Sequence, residues 1–172
     1  MIETVFASKR FRVEHEDTEI RGKKKTVERI VTSDAVLVVP FIDKDTLLLE
    51  KSFRPVIGKQ IFEFPAGMMD KDGEDQKSTA IRELEEELGY KAANMDLLFE
   101  GYSSPGRITE KIYFFKATGL TETGKHLGDF EVIEPVKIKL EDALGMVKRN
   151  EIEDTHAIAA LLFCSSFGGG SL

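Results

Sequence analysis

Residues 35–41, Ala-Val-Leu-Val-Val-Pro-Phe, form a continuously apolar, β-branched run. The run is too short to span a membrane, which takes about 20 apolar residues. With no alternating polar position, it predicts a central strand buried on both faces. Such a strand needs cover from two sides. Helices must therefore pack on a sheet, and the chain of 172 residues is long enough for one domain of this kind with a small appendage.

The rest of the chain supplies the partners. Residues 5–33 alternate like strands, with Phe11, Val13 and His15 on one side and Arg10, Arg12 and Glu14 on the other. Arg21-Gly22-Lys23 reads as a turn and Thr26 to Val31 as the returning strand. Asp43-Lys44-Asp45 reads as a turn that makes Thr46 to Glu50 the hairpin partner of the apolar run. Ile61 to Phe64, Leu97 to Tyr102, Lys111 to Ala117 and Val136 to Ile138 read as further strands. Pro65-Ala66-Gly67 closes one of them, and Gly119 to Phe130 reads as a polar loop. Helices are predicted at Ser78 to Leu88, Leu140 to Lys148 and Thr155 to Cys164. The expected class is α/β or α+β, with helices on a mostly antiparallel sheet. The expected organisation is an N-terminal β segment (residues 1–33), a main domain (34–166) and a flexible tail (167–172).

Charge and cysteine content narrow the setting. Lys and Arg number 24 against 31 Asp and Glu, a net charge of −7. That balance disfavours nonspecific nucleic-acid binding but not a phosphate substrate, because a metal can supply positive charge locally. The single cysteine, Cys164, excludes an internal disulfide framework and reads as a buried thiol. The N-terminus has no basic and apolar leader. A reducing cytoplasm is the expected compartment, with no membrane and no nucleic acid among the partners.

The helix at Ser78 to Leu88 carries the chemistry. At about 100° per residue, Glu83, Glu86 and Glu87 share one arc, and Ile81, Leu84 and Leu88 share another. Like charges at these spacings repel. A divalent cation would offset the repulsion, and Arg82 is placed to pair with one acid. From Glu85-Glu86-Glu87 alone, a solvated acidic face is the commoner reading. The surroundings change the balance. Gly67 is followed after six residues by Glu74, and after seven more by Arg82-Glu83-Leu84-Glu85-Glu86-Glu87-Leu88-Gly89-Tyr90.

That series resembles the signature of the Nudix hydrolases. The Gly67 to Glu74 spacing is one residue longer than is usual in the family, and the loop between them can absorb it. The resemblance runs from about Val36 to Leu161 and implies an α/β/α sandwich around a mixed sheet. It implies cleavage of a nucleoside diphosphate linked to another group, with Mg²⁺ or Mn²⁺ and an activated water. It further implies metal ligation by Glu83, Glu86, Glu87 and the backbone carbonyl of Ala66.

A second set of residues resembles the ADP-ribose pyrophosphatase subgroup. Pro105 stands sixteen residues after Gly89 in Tyr102-Ser103-Ser104-Pro105-Gly106, and Phe53-Arg54-Pro55 precedes Phe62-Glu63-Phe64-Pro65-Ala66-Gly67. A plain Pro-Gly turn is the alternative for Pro105, and a surface arginine is the alternative for Arg54. Candidate substrate-binding residues are Arg54, Glu63, Ser104, Pro105 and Glu110. The resemblance places the catalytic base in the acidic loop 128–134, on Glu131 or Asp129, with Glu86 and Arg82 also in the catalytic set. It implies a homodimer formed through the N-terminal strands, in which Glu28 and Arg29 reach the partner's site. Another sugar-nucleotide pyrophosphatase, such as one for GDP-mannose, and an idle sensor of ADP-ribose remain open beside the main reading. His15, His126 and His156 have no mutual ligand spacing and read as strand, loop and helix residues.

Overall fold

The computed structural model describes residues 2–124 and 132–168. The apolar run becomes strand β4 (Ala35–Pro40), the middle of a four-stranded sheet. Its neighbours are β9 (Lys111–Glu122), which is parallel, and β7 (Ala66–Met68), which is antiparallel. Strand β8 (Tyr90–Tyr102) completes the order β7-β4-β9-β8. A second sheet has the order β10-β5-β6, from β10 (Ile133–Lys139), β5 (Thr46–Arg54) and β6 (Lys59–Glu63).

The two faces of β4 are covered by different helices, as its sequence requires. Val36 and Val38 meet Ala80, Leu84 and Leu88 of the acidic helix. Leu37 and Val39 meet Ala143 of helix α2 (Leu140–Lys148) and Ala157, Ala160, Leu161 and Cys164 of helix α3 (Thr155–Phe167). The mixed α/β sandwich is present, with its strands divided between two sheets. Cys164 is buried, and burial pushes its thiol up to about 11.

Several elements differ from the sequence reading. Strand β5 is not the hairpin partner of β4. Both hydrogen-bonding edges of β4 are already taken by β7 and β9, so only a single bridge, Phe41 with Leu47, joins the two before the chain crosses to the second sheet. Asp43 fixes that crossing by accepting from the Asp45 and Thr46 N–H groups at 3.0 and 2.7 Å. Residues 66–68 are a strand, not only a turn, because β4 offers them a free edge. Residues 90–96 extend β8, and residues 119–122 belong to β9 rather than to a loop. Phe167 is the last residue of α3, not the first of a tail.

The N-terminal region is a separate antiparallel sheet, β1 (Ile2–Ala7), β2 (Phe11–Ile20) and β3 (Lys23–Thr32). The expected sidedness is reversed at its centre. Phe11 is exposed, whereas Glu14 is buried because Arg12 and Arg29 donate to its two oxygens at 2.6 and 2.9 Å. Those two guanidinium groups hold the Glu14 carboxyl below its ordinary range. The sheet joins the rest of the molecule where the Ile30 N–H donates to the Arg107 carbonyl (2.8 Å) and the Thr109 N–H donates to Ile30 (3.0 Å). No helix among the described residues is long and apolar enough to cross a membrane.

Candidate active site

Helix α1 (Gln76–Glu83) begins at Asp75, whose carboxylate accepts the Ser78 N–H at 2.7 Å, the usual capping arrangement. It continues into a π-helical turn, Leu84–Leu88, and ends at Gly89 with φ of 74°, a left-handed residue that glycine adopts without strain. The packing stripe is Ala80, Leu84 and Leu88, and Ile81 is exposed, contrary to the 100° reading. The π turn carries Glu85, Glu86 and Glu87 and changes the rotation between them, which a regular-helix projection does not anticipate.

Arg82 organises the acids. Its Nε donates to both Glu74 oxygens at 3.0 and 3.1 Å. Its Nη1 donates to Glu83 Oε1 (2.6 Å) and Glu86 Oε2 (2.9 Å). The longer loop after Gly67 thus still delivers Glu74 to the arginine. Arg82 Nη2 is buried with no partner among the described residues. Repulsion between the acids is offset here by one guanidinium, a geometry suited to several charge-assisted hydrogen bonds.

Strand β7 forms the opposing surface. Glu87 Oε2 accepts the Ala66 N–H at 3.0 Å. A Cβ on Gly67 would collide with the Glu83 carboxylate, so only glycine allows that close approach. Glu83 and Glu87 are each 8% exposed. Burial pushes the Glu83 carboxyl above its ordinary range, and Arg82 offsets only part of the effect.

A cleft of about 430 Å³ opens over these groups, lined by Arg54, Ala66, Gly67, Asp70, Glu83 and Glu87 among others. A second, of about 370 Å³, shares Arg54 and residues 66–68 and extends to Glu63, Glu110, Asp154 and His156. The β7 backbone is the wall common to both. At that wall Arg54 Nε donates to both oxygens of buried Glu63, at 2.8 and 3.0 Å. Burial raises the Glu63 pKa and Arg54 partly counters it.

Arg54, Glu63, Ala66, Glu83, Glu87 and Glu110 are therefore gathered around one continuous cleft, with Glu86 joined through Arg82. Ser104 and Pro105 line neither chamber. Their turn closes on itself, the Arg107 and Ile108 N–H groups donating to the Ser104 carbonyl at 2.9 and 2.8 Å, and leads to the β3 contact. Arg29 is tied within the chain to Glu14 and Glu16, and Glu28 lies 3.3 Å from His15. Asp129, Glu131 and His126 lie outside the described residues. The chain re-enters at Val132, and Ile133 pairs with Ser52, two residues from Arg54.

Sequence reasoning gave no site role to Lys9, Arg10, Ser33, Asp70, Asp154 or His156, all of which line the clefts. For Asp154 a signal existed: it is the N-cap of α3, accepting the Ala157 N–H at 2.8 Å. From there it also meets His156 Nδ1 at 3.5 Å, which raises the imidazole pKa. Lys9 and Arg10 carried none, because their proximity is wholly tertiary.

A NUDIX domain model matches residues 31–161, most of the chain. The chain belongs to the Nudix family. It is 34% identical to the ADP-ribose pyrophosphatase of Bacillus subtilis over 164 residues, 94% of this chain and 88% of that protein. It is 30% identical to a methanol dehydrogenase activator of Bacillus methanolicus over the same shares, and 31% identical to the GDP-mannose pyrophosphatase of Citrobacter koseri over 86% and 80%. A crystal structure of an ADP compounds hydrolase superposes with a TM-score of 0.87 at 27% identity, covering 100% of this chain and 95% of that one.

Nudix hydrolases are generally dependent on divalent metal. Among the described residues no three acidic, His or Cys side chains converge into a ready ligand set. The reason is Arg82, which engages one oxygen each of Glu83 and Glu86, while Ala66 engages one of Glu87. The donor chemistry nevertheless fits a hard cation, since buried carboxylates with one raised pKa are stabilised by added positive charge. That raised pKa has a measurable consequence. A buried acid whose folded pKa exceeds its unfolded value favours folding below about pH 4.5 and loses that contribution as pH rises through the folded value. In chelator, Glu83→Gln should therefore raise Tm at pH 7, with a gain that shrinks toward pH 4. An equal or lower Tm at pH 7 would contradict the assigned electrostatics.

Proposed function

We propose that this Nudix hydrolase cleaves the diphosphate bond of ADP-ribose to AMP and ribose 5-phosphate. The observation that carries the reading is one cleft with two chambers joined along β7, lined by both carboxylates and cations where a metal–diphosphate would sit and half apolar where a nucleoside or sugar would. The named relatives support the same substrate class, and the one from Citrobacter koseri favours GDP-mannose as the second reading. The retained Glu83, Glu86 and Glu87 argue against an idle sensor.

In this reading Glu83, Glu86, Glu87 and the Ala66 carbonyl would hold Mg²⁺ or Mn²⁺, which neutralises the diphosphate and acidifies a water when bound. Arg82 positions Glu83 and Glu86 and does not itself touch substrate. Arg54, held by Glu63, binds a phosphate through the guanidinium nitrogens that Glu63 does not engage. Glu131 takes the proton of the attacking water, with Asp129 as the alternative. The water oxygen bonds to one phosphorus, the bridging P–O bond breaks, and two phosphate monoesters leave. Glu110 shapes the sugar side, and the turn of Ser104 and Pro105 leads into it from outside the chamber. We further propose a cytoplasmic homodimer formed through residues 1–33, with Glu28 and Arg29 at the partner's site. The support is the exposed apolar side chains Ile2, Val5, Phe6, Phe11 and Ile20, spread over both faces of that sheet.

In side-by-side assays with Mg²⁺, ADP-ribose should show a higher kcat/KM than GDP-mannose, UDP-glucose, NADH or a nucleoside triphosphate. Faster cleavage of GDP-mannose would transfer the assignment to the second reading. Glu131→Gln should lower kcat far more than it changes KM, and an unchanged kcat would move the base to Asp129. Light scattering at micromolar concentration should give the mass of a dimer; a fully active monomer would refute the proposed interface.

A further inference from the structure

The turn between β1 and β2 places two cations on the cleft that also holds the acids. Lys9, Arg10 and Ser33 line the 430 Å³ chamber together with Arg54, Asp70, Glu83 and Glu87. The same three residues line an adjoining cleft of about 340 Å³ that continues to Arg12 and Thr32. The turn is well fixed. Ser8 Oγ donates to the Phe11 carbonyl at 2.9 Å and accepts the Arg10 and Phe11 N–H groups at 3.3 and 3.2 Å. Phe6 packs on Phe11 across it, with ring centroids 5.7 Å apart.

The charge pairing around the site separates these two residues from the others. Arg82 is committed to Glu74, Glu83 and Glu86. Arg54 gives only its Nε to Glu63, and Arg12 and Arg29 are committed to Glu14. Lys9 and Arg10 have no carboxylate partner among the described residues, although Asp70, Glu83 and Glu87 line the same chamber. Cations without a carboxylate partner, lining one open chamber together with carboxylates, make a site for an anion that carries its own cations. A metal-bound diphosphate has this pattern, with some oxygens turned to the metal and the rest needing donors. The net charge of −7 opposes an anion's approach, so local cations must supply the attraction.

We propose that Lys9 and Arg10 form a phosphate clamp, in which the N-terminal turn grips the diphosphate of the substrate within the same chain. The clamp rests on the hydrolase reading above and adds specificity residues to it. It assigns the N-terminal strands a task at their own active site as well as at an interface. Because the clamp reads phosphate oxygens and not the base or sugar, it acts on binding common to the ground and transition states.

The test separates the clamp from the substrate assignment. Inorganic pyrophosphate, with Mg²⁺, is titrated calorimetrically into wild type, K9A/R10A and K9R/R10K. The K9A/R10A protein should bind it about tenfold more weakly, the loss expected for charge-assisted contacts worth about 1.4 kcal/mol. It should also show a smaller dependence on salt, whereas K9R/R10K should stay near wild type. For ADP-ribose the same variant should raise KM by a similar factor with little change in kcat. Equal pyrophosphate affinity in wild type and a folded K9A/R10A, checked by thermal melting, would overturn the clamp. So would an equal loss in K9R/R10K, since a role by charge survives that exchange. If wild type does not cleave ADP-ribose but K9A/R10A still loses pyrophosphate affinity, the substrate assignment falls and the clamp stands.

Discussion

Burial of β4 on both faces and along both edges is the constraint from which the rest of the molecule follows. One face requires the acidic helix, and the other requires α2 and α3. One edge takes β9 and the other takes β7. The β7 edge creates the site. Pairing of Val36 with Gly67 and Leu37 with Ala66 fixes the β7 backbone, while Val36 and Val38 hold the helix. The Glu83 carboxylate is thereby pressed against Gly67 and the Glu87 carboxylate against the Ala66 N–H. A core strand and the wall of the cleft are thus two sides of one packing problem.

The electrostatics follow from that placement. Carboxylates crowded on a buried helix face would be unstable together in a low-dielectric setting. Arg82 bridges three of them, and its own burial is tolerable because it is surrounded by negative charge. The same rule operates at Arg54 with Glu63 and at Arg29 with Glu14. Removing Arg54 would leave the buried Glu63 carboxylate uncompensated, whereas Glu14 and Arg82 each keep a second partner when one is lost.

The N-terminal sheet is tied to the site at two places. Its β1–β2 turn lines the acidic chamber, and β3 contacts the loop of Ser104 and Pro105, which runs directly into Glu110. An appended element of this kind can tune what a shared catalytic helix accepts without altering the helix. That arrangement is consistent with an ADP-ribose pyrophosphatase and a GDP-mannose pyrophosphatase each sharing most of their length with this chain.

The sequence alone determined what depends on local chemistry and on residue type. The unbroken apolar run specified a two-faced central strand, and Gly89 marked the end of the acidic helix. The spacing of Gly67, Glu74, Arg82, Glu83, Glu86 and Glu87 marked the family and the cluster. The tertiary structure decided what depends on competition between distant segments. Strand β5 lost its place beside β4 because two remote strands occupied both edges, a fact invisible to periodicity. Residues 66–68 became a strand because β4 had an edge to offer. The inward Glu14 inverted the polar pattern because two arginines, one of them fifteen residues away, converged on it. Lys9, Arg10 and His156 entered the clefts only through the docking of the N-terminal sheet and of α3. Local sequence encodes backbone preference and burial period. Which edges meet, and which charges are left facing an open cleft, is settled only when the whole chain competes for the same surfaces.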